Sequence, residues 1–335
     1  MPKVSVIMPA YNAEKYISEA VESILNQTFS DFEFLIINDG SIDNTEKIIK
    51  SYGDERIVYV KNEKNMGIVD TLNRGLKLAK GQYIVRMDAD DISLPTRIEK
   101  QACFMDKQIE IGVLGTGVQI FGEYVEERER LFKTSDNELK AELLFNSCIA
   151  HPTVMIRKSV LENNKLEYNK EFGGKEDFAL WWEIAKVSKV ATIPEILLRY
   201  RIHGNQITQK RSEHDREVSR IFLDRRLIDL QVQLNENEKQ SFLNYSRGEF
   251  EIVTTDSVKF LISALGKIIE KNKETLFFER KTLQTVCGLA ITYTLGQTEI
   301  VGTSKKELFQ YAIKKGLYSN IMLLKLLRHK VFKKK

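Results

Sequence analysis

The stretch Tyr83-Ile-Val-Arg-Met-Asp-Ala-Asp-Asp91 constrains the fold of this chain more than any other. It opens as a near-continuous apolar run, the mark of a parallel strand buried on both faces. It closes with three carboxylates, Asp88, Asp90 and Asp91, at the strand's carboxyl end. In open α/β sheets that edge is where ligands sit. Carboxylates this close repel one another, and a divalent cation relieves the repulsion; Mg²⁺ or Mn²⁺ prefers a few carboxylates together with phosphate oxygens and water. The bland alternative is an acidic loop capping a helix that starts near Pro95. The buried strand in front favours the metal, so Asp88-Ala-Asp-Asp91 reads as the place where a metal holds a diphosphate.

The chain before it follows the same plan. Val4-Ser-Val-Ile-Met8 reads as a buried strand closed by Pro9, and Pro9-Ala-Tyr-Asn12 as a turn. Ile17, Ala20, Val21, Ile24 and Leu25 recur at helical spacing. A second strand, Phe32 to Ile37, runs into Asn38-Asp-Gly-Ser41 and puts Asp39 at a strand end, as Asp88 is. A helix over Thr45–Tyr52, a strand over Ile57–Val60, a polar loop Asn62–Gly67 and a helix ending at Lys80-Gly81 complete the run. This alternation predicts a parallel sheet with right-handed crossovers. The absence of G-x-G-x-x-G after the first strand argues against an ordinary dinucleotide fold, and the absence of G-x-x-x-x-G-K-[ST] excludes a P-loop NTPase. Tyr11 either stacks on a nucleobase or packs half-buried under the first helix. Asp39 either accepts a hydrogen bond from a base imide N–H or serves an Asx turn.

The order Pro9-Ala-Tyr-Asn12, Asn38-Asp-Gly-Ser41 with Asp43 and Thr45, Asn65-x-Gly67, Asn73-x-Gly75, Asp88-Ala-Asp-Asp91 resembles a family 2 glycosyltransferase of the bacterial polysaccharide-biosynthesis type. The resemblance covers about Lys3 to Gln206. It implies an α/β, Rossmann-like GT-A fold with a mostly parallel sheet, metal dependence, and inversion at the anomeric carbon. It implies further that Pro9, Ala10 and Tyr11 line the nucleotide pocket, Asp39 reads the base, Asp88 lies near the ribose, Asp90 is the main metal ligand and Asp91 supports the site. Asn65 and Gly67 belong on this reading to the loop flanking the nucleoside, and Arg86 faces the donor. Phe172-Gly-Gly-Lys-Glu-Asp-Phe-Ala-Leu-Trp181 resembles the family's glycine loop and Glu-Asp pair. That makes Asp177 the catalytic base, with Gly173, Gly174, Glu176 and Trp181 on the acceptor side; the two glycines suggest a close backbone approach. One base suffices for inverting transfer when a metal neutralises the leaving diphosphate. His203, within Tyr200-Arg-Ile-His-Gly-Asn205, corresponds to a metal or diphosphate histidine, and Arg201 to a diphosphate contact. His151 begins a strand with Thr153–Ile156, and faces the acceptor or is structural.

From about Ile207 the pattern turns wholly helical, with five or six helices and capping boxes at Asn235-x-x-Glu238 and Ser304-x-x-Glu307. The expected domains are therefore 1–206, split into a nucleotide-sugar half 1–91 and an acceptor half 92–206, and a helical region 207–335. The net charge of +4 hides an asymmetry: Lys305 to Lys335 carries +9, so the rest sums to −5. A nucleic-acid binder would not be basic only in its tail. Leu323, Leu324, Leu327 and Val331 stand opposite Lys325, Arg328 and His329, a pattern favouring peripheral contact with an anionic membrane over a solvated bundle helix or a contact between copies of the chain. Three widely spaced cysteines (Cys103, Cys148, Cys287), no apolar run of spanning length and no leader pattern lead to the expectation of a cytoplasmic enzyme at the inner face of the plasma membrane. The expected partners are a nucleotide-sugar donor, UDP-linked by preference, and a saccharide or lipid-linked acceptor. The rival readings are a sugar nucleotidyltransferase and a non-catalytic nucleotide-sugar-binding scaffold.

Overall fold

The computed structural model describes residues 1–123, 125–204, 213–249, 254–297 and 305–317. The chain divides into two compact units, Met1–Leu139 with Ser147–Arg211, and Lys140–Asn146 with Ser212–Lys335.

In the first unit, β1 (Val4–Ala10), α1 (Ile17–Leu25), β2 (Phe32–Asn38), α2 (Thr45–Lys50), β3 (Ile57–Lys61), α3 (Ile68–Leu78) and β4 (Tyr83–Arg86) alternate as the apolar runs predict. All residues of β1, β2 and β4 are buried, because helices cover both faces of a parallel sheet. There follow β5 (Ile92–Ser93), α4 (Arg97–Lys107), β6 (Ile111–Gly122), β7 (Arg128–Arg130), α5 (Asp136–Glu142), β8 (Met155–Arg157), α6 (Lys158–Asn164), α7 (Glu176–Val187) and β9 (Lys189–Ile202). One sheet of nine strands runs β3-β2-β1-β4-β8-β6-β9-β5, with β7 on β6. The long pairings are parallel: β1 with β2 and β4, β2 with β3, and β6 with β9. Short antiparallel pairings attach β8 to β4 and β6, β5 to β9 and β7 to β6. The sheet is thus mostly parallel, with an antiparallel insertion that an alternating strand–helix pattern does not foretell.

His151 does not open a strand. His151–Thr153 form a 3-10 turn and β8 begins only at Met155. Pro152 brings no N–H to a ladder, and the Thr153 hydroxyl donates back to the Ala150 carbonyl at 2.7 Å, closing the turn.

The second unit is helical: α8 (Glu213–Asp229), α9 (Glu236–Arg247), α10 (Thr255–Thr275), α11 (Arg280–Gln297) and α12 (Lys305–Lys314). The Asn235/Glu238 capping box forms, and Thr254 with Ser257 forms a second box at the start of α10. Arg226 is buried and donates to the carbonyls of Leu143 and Leu144, while burial pushes its pKa down to about 9. The Ser304 capping box and the apolar–basic segment from Leu323 to Lys335 lie outside the described residues. Among the described residues, no helix is long and apolar enough to cross a membrane.

Candidate active site

The parallel strands β1, β2 and β4 end at one edge, and the turns that follow them interlock. At the end of β1, Asn12 N–H donates to the Ser41 hydroxyl, Ala13 N–H to the Thr45 hydroxyl and Glu14 N–H to Asp43. The turn after β2 is held by Asn38 and not by Asp39: the Asn38 side-chain oxygen accepts from Ser41 N–H at 2.9 Å. Gly40, at φ +72°, passes so close to the next loop that a Cβ would stand 2.6 Å from the Lys64 carbonyl carbon. Pro9 and Ala10 are buried within β1. Tyr11, just past β1, is 47% exposed.

Asp39 holds the loop that faces it. Its carboxylate accepts from the Asn62 side chain (2.6 Å), Met66 N–H (2.8 Å) and Gly67 N–H (2.9 Å). Asn65, exposed, accepts from the same Gly67 N–H at 3.0 Å. Asp39, Asn65 and Gly67 therefore form one cradle, drawn from two loops far apart in sequence.

The end of β4 is built differently. Asp88, Asp90 and Asp91 each offer a carboxylate oxygen, and these atoms all lie within 4.8 Å of one another. Asp91 is buried; one of its oxygens accepts from Arg201 N–H at 2.8 Å and the other has no hydrogen-bond partner among the described residues. Burial, then repulsion from Asp88 and Asp90, pushes the Asp91 carboxyl well above the ordinary carboxylate range. Burial likewise pushes Asp88 up to about 6, although the adjoining Arg86 guanidinium pulls against it. His203 brings Nε2 to 2.9 Å from Asp90 and its ring against Tyr16, with centroids 4.9 Å apart. Three hard oxygen donors, one of them a buried and unsatisfied oxygen, with a histidine on the second aspartate, fit a divalent cation of the Mg²⁺ or Mn²⁺ kind. Asp88, Asp90 and Asp91 would hold it, with His203 beside them.

Arg201 is brought to this cluster but is engaged by the protein: it donates to the Asp90 carbonyl (2.7 Å) and to Glu19 (3.1 Å), and lies over the rings of Tyr16 and Phe121. One cluster residue escaped the sequence reading. Arg97, the first residue of α4, is fully buried beneath β4 and donates to the Arg86 carbonyl and the Gln101 side chain. Burial lowers its pKa to about 9, with Asp91 and Asp88 holding its charge in place. An arginine one turn after an acidic strand end was the available signal.

On the acceptor side, Glu176 and Asp177 open α7. Glu176 is buried and accepts from Gly174 N–H at 2.6 Å. Asp177 accepts from Phe178 N–H (2.6 Å) and from the Ser147 hydroxyl (3.4 Å), and burial, then the neighbouring Glu176, pushes its carboxyl up to about 6. Gly174 takes a φ of +86°, a conformation that favours glycine, and a Cβ on it would meet no protein atom within 4 Å. Trp181 is wholly buried and its Nε1–H has no hydrogen-bond partner among the described residues. The turn at His151 links the acidic strand end to the helix of Glu176 and Asp177: beside it Arg86 N–H donates to the Val154 carbonyl at 3.1 Å, and the His151 ring meets Trp181 of α7 with centroids 5.8 Å apart.

Comparison with known proteins agrees with this geometry. The model of "Glycosyl transferase family 2" matches residues 5–164. An uncharacterized glycosyltransferase of Haemophilus influenzae is 37% identical over 236 residues, 65% of this chain and 71% of the relative. The O-antigen biosynthesis glycosyltransferase WbnJ of Escherichia coli is 37% identical over 216 residues, 62% of this chain and 82% of the relative. Among solved structures, S. aureus TarS 1–349 in complex with UDP-GlcNAc aligns with TM-score 0.60 and 21% identity, covering 95% of this chain and 93% of that one. The alignment spans only 53% of the longer TarS chain. The structural likeness is one of fold.

Proposed function

The chain belongs to glycosyl transferase family 2, and on that premise we propose that it moves a sugar from a nucleotide-diphosphate donor to a saccharide hydroxyl, with a divalent metal and inversion at the anomeric carbon. The observation that supports this reading is an acidic strand end with a carboxylate oxygen that has no partner among the described residues, together with a second, separate carboxylate, Asp177, on the helix that meets the His151 turn beside that strand end. A uridine diphosphate donor is favoured by the fold's likeness to TarS, whose solved forms include complexes with UDP and UDP-GlcNAc. The likeness to WbnJ supports a place in surface-polysaccharide assembly. The catalytic domain on this reading is 1–206, at the cytoplasmic face of the membrane.

Asp88, Asp90 and Asp91 would hold a cation whose charge would neutralise the leaving diphosphate, so no protein acid would be required there. Tyr11 stacks on the base, and the cradle of Asp39, Asn65 and Gly67 closes the nucleoside end. Pro9 and Ala10 wall the pocket from below. Asp177 takes the proton of the acceptor hydroxyl as its oxygen bonds to the anomeric carbon and the bond from that carbon to the diphosphate oxygen breaks. Its raised pKa makes it a stronger base than an ordinary aspartate while leaving it ionised at neutral pH. Ser147 and Phe178 N–H orient the carboxylate. Glu176 steadies the loop in front of it through Gly174.

The test is Asp177→Asn. Transfer falls by about 10²–10⁴-fold, the usual contribution of a general base, with nucleotide affinity within about threefold of the unaltered protein. Unchanged turnover would show the base to be another group.

A further inference from the structure

The region between the acidic strand end and Asp177 holds a small aromatic cluster that the proposed chemistry does not use. His151 lies in the 3-10 turn before β8, Tyr168 precedes α7, and Trp181 lies within α7. The Asn73 side chain fixes Tyr168 from α3, donating to its carbonyl at 2.8 Å and accepting its N–H at 2.9 Å. The Tyr168 hydroxyl stands 2.9 Å from His151 Nε2. Burial raises the Tyr168 pKa far above its ordinary value, so the hydroxyl keeps its proton. Among the described residues the only acceptor it meets is that Nε2, so the imidazole hydrogen stands on Nδ1. Burial, then the charge of Arg86, pushes His151 well below its ordinary pKa and keeps the ring neutral. Nδ1 makes no hydrogen bond among the described residues. Trp181 meets the same ring edge-on, with centroids 5.8 Å apart, and its N–H is unspent as well.

We propose that His151 reads the transferred sugar, donating Nδ1–H to the carbonyl oxygen of an acetamido group, with Tyr168 as the positioning residue that fixes the tautomer. This rests on the glycosyltransferase reading above. In that reaction the transferred sugar lies between the leaving diphosphate and the attacking hydroxyl. The turn that carries His151 lies beside the end of β4, where Arg86 N–H donates to the Val154 carbonyl at 3.1 Å, and Trp181, which meets the His151 ring, stands one helical turn after Asp177 in α7. A patch of fixed N–H donors suits an oxygen that only accepts. A sugar carboxylate accepts too, but here it would be set among Asp88, Asp90, Asp91, Glu176 and Asp177. An acetamido carbonyl accepts without adding charge.

The experiment measures UDP release by the full chain with Mn²⁺, water serving as acceptor, from UDP-N-acetylglucosamine and UDP-N-acetylgalactosamine against UDP-glucose and UDP-galactose. UDP-glucuronate is the charged arm, and UDP affinity is read by calorimetry. The expected result is a preference of about tenfold or more in kcat/KM for an acetamido donor over its parent hexose, the loss incurred when a site's N–H goes unpaired. His151→Phe brings that preference within about threefold while UDP affinity holds. Tyr168→Phe, which removes only the hydroxyl, weakens the preference, and His151→Gln, which retains an N–H, restores part of it. Equal use of parent hexoses by the unaltered protein, a preference for UDP-glucuronate, or a preference that survives His151→Phe would overturn the assignment while leaving the glycosyltransferase reading intact. Failure to bind UDP or to release it from any of these sugars would instead overturn the UDP-donor reading beneath it. Should His151→Phe lose UDP affinity, the selectivity of Tyr168→Phe decides.

Discussion

Asp39 and Asp91 are both buried carboxylates just past the end of a parallel strand, yet the protein treats them in opposite ways. Asp39 receives three N–H donors, two of them from the backbone of the loop it holds. Asp91 receives one, keeps an oxygen without a partner, and shares its surroundings with two more aspartates. A buried charge costs several kcal/mol unless it is paired and hydrogen-bonded. The first carboxylate is completed by the fold and can shape a pocket unaided. The second is left incomplete by the protein, and on the proposed reading a cation completes it, so that the nucleoside end of the site is preformed while the diphosphate end takes a metal.

The sharpest way to break the comparison is at the cation. Asp90→Asn lowers transfer by about 10³-fold or more and removes the metal dependence of nucleotide binding, as kinetics and calorimetry with and without EDTA will read. Retention of metal-dependent binding would show that Asp90 is no ligand. The matching change on the other strand, Asp39→Ala, acts on stability: it orphans the Met66 N–H, leaves Gly67 N–H with Asn65 alone, and costs on the order of 2 kcal/mol in urea unfolding. A cost no larger than that of an exposed substitution would mean the cradle is held elsewhere.

The effect of pH is intermediate. Asp88 and Asp177 both rise from 3.8 to about 6 in the fold, chiefly through burial. A raised carboxyl pKa means that the folded chain binds more protons than the unfolded one between about pH 4 and 6. Stability is therefore lost as pH rises through that window in metal-free protein, and thermal melts from pH 4.5 to 7 will follow the loss. Mn²⁺ will reverse it at the upper end. Transfer has the opposite slope, falling about tenfold per unit below pH 6 as Asp177 takes a proton. The smallest effect is Asp91→Asn, which removes one repelling charge and stabilises the metal-free chain by about 1 kcal/mol. Destabilisation there would place Asp91 with Asp39 as a finished, structural carboxylate.

The sequence shows what is local and hides what is brought together. The buried strands were legible because β1, β2 and β4 are short apolar runs ending in turn residues, and their ends carried Asp39 and Asp88–Asp91 with them. The partners of Asp39 were not, since Asn62, Met66 and Gly67 reach it across a strand and a loop; its carboxylate is spent on them, and the local turn is held by the Asn38 side chain accepting from Ser41 N–H. Arg97 was hidden because a helix-start arginine reads as solvated, and only its zero exposure reveals a charge beneath the acidic cluster. His151 was misread as a strand residue because Val-Met-Ile follows it, whereas Pro152 keeps it in a turn facing Tyr168. The antiparallel insertion of β8 between β4 and β6 depends on long-range pairing and left no periodic trace.

The central claim, that the end of β4 is completed by a metal which holds a nucleotide diphosphate, is tested most directly by calorimetry of the full chain with UDP, GDP and dTDP, each in Mn²⁺ and in EDTA. The account predicts that one nucleotide, UDP first, binds in Mn²⁺ and not in EDTA, and that Asp90→Asn binds it in neither. Binding of equal strength with and without the metal, or no binding of any nucleotide, would contradict it.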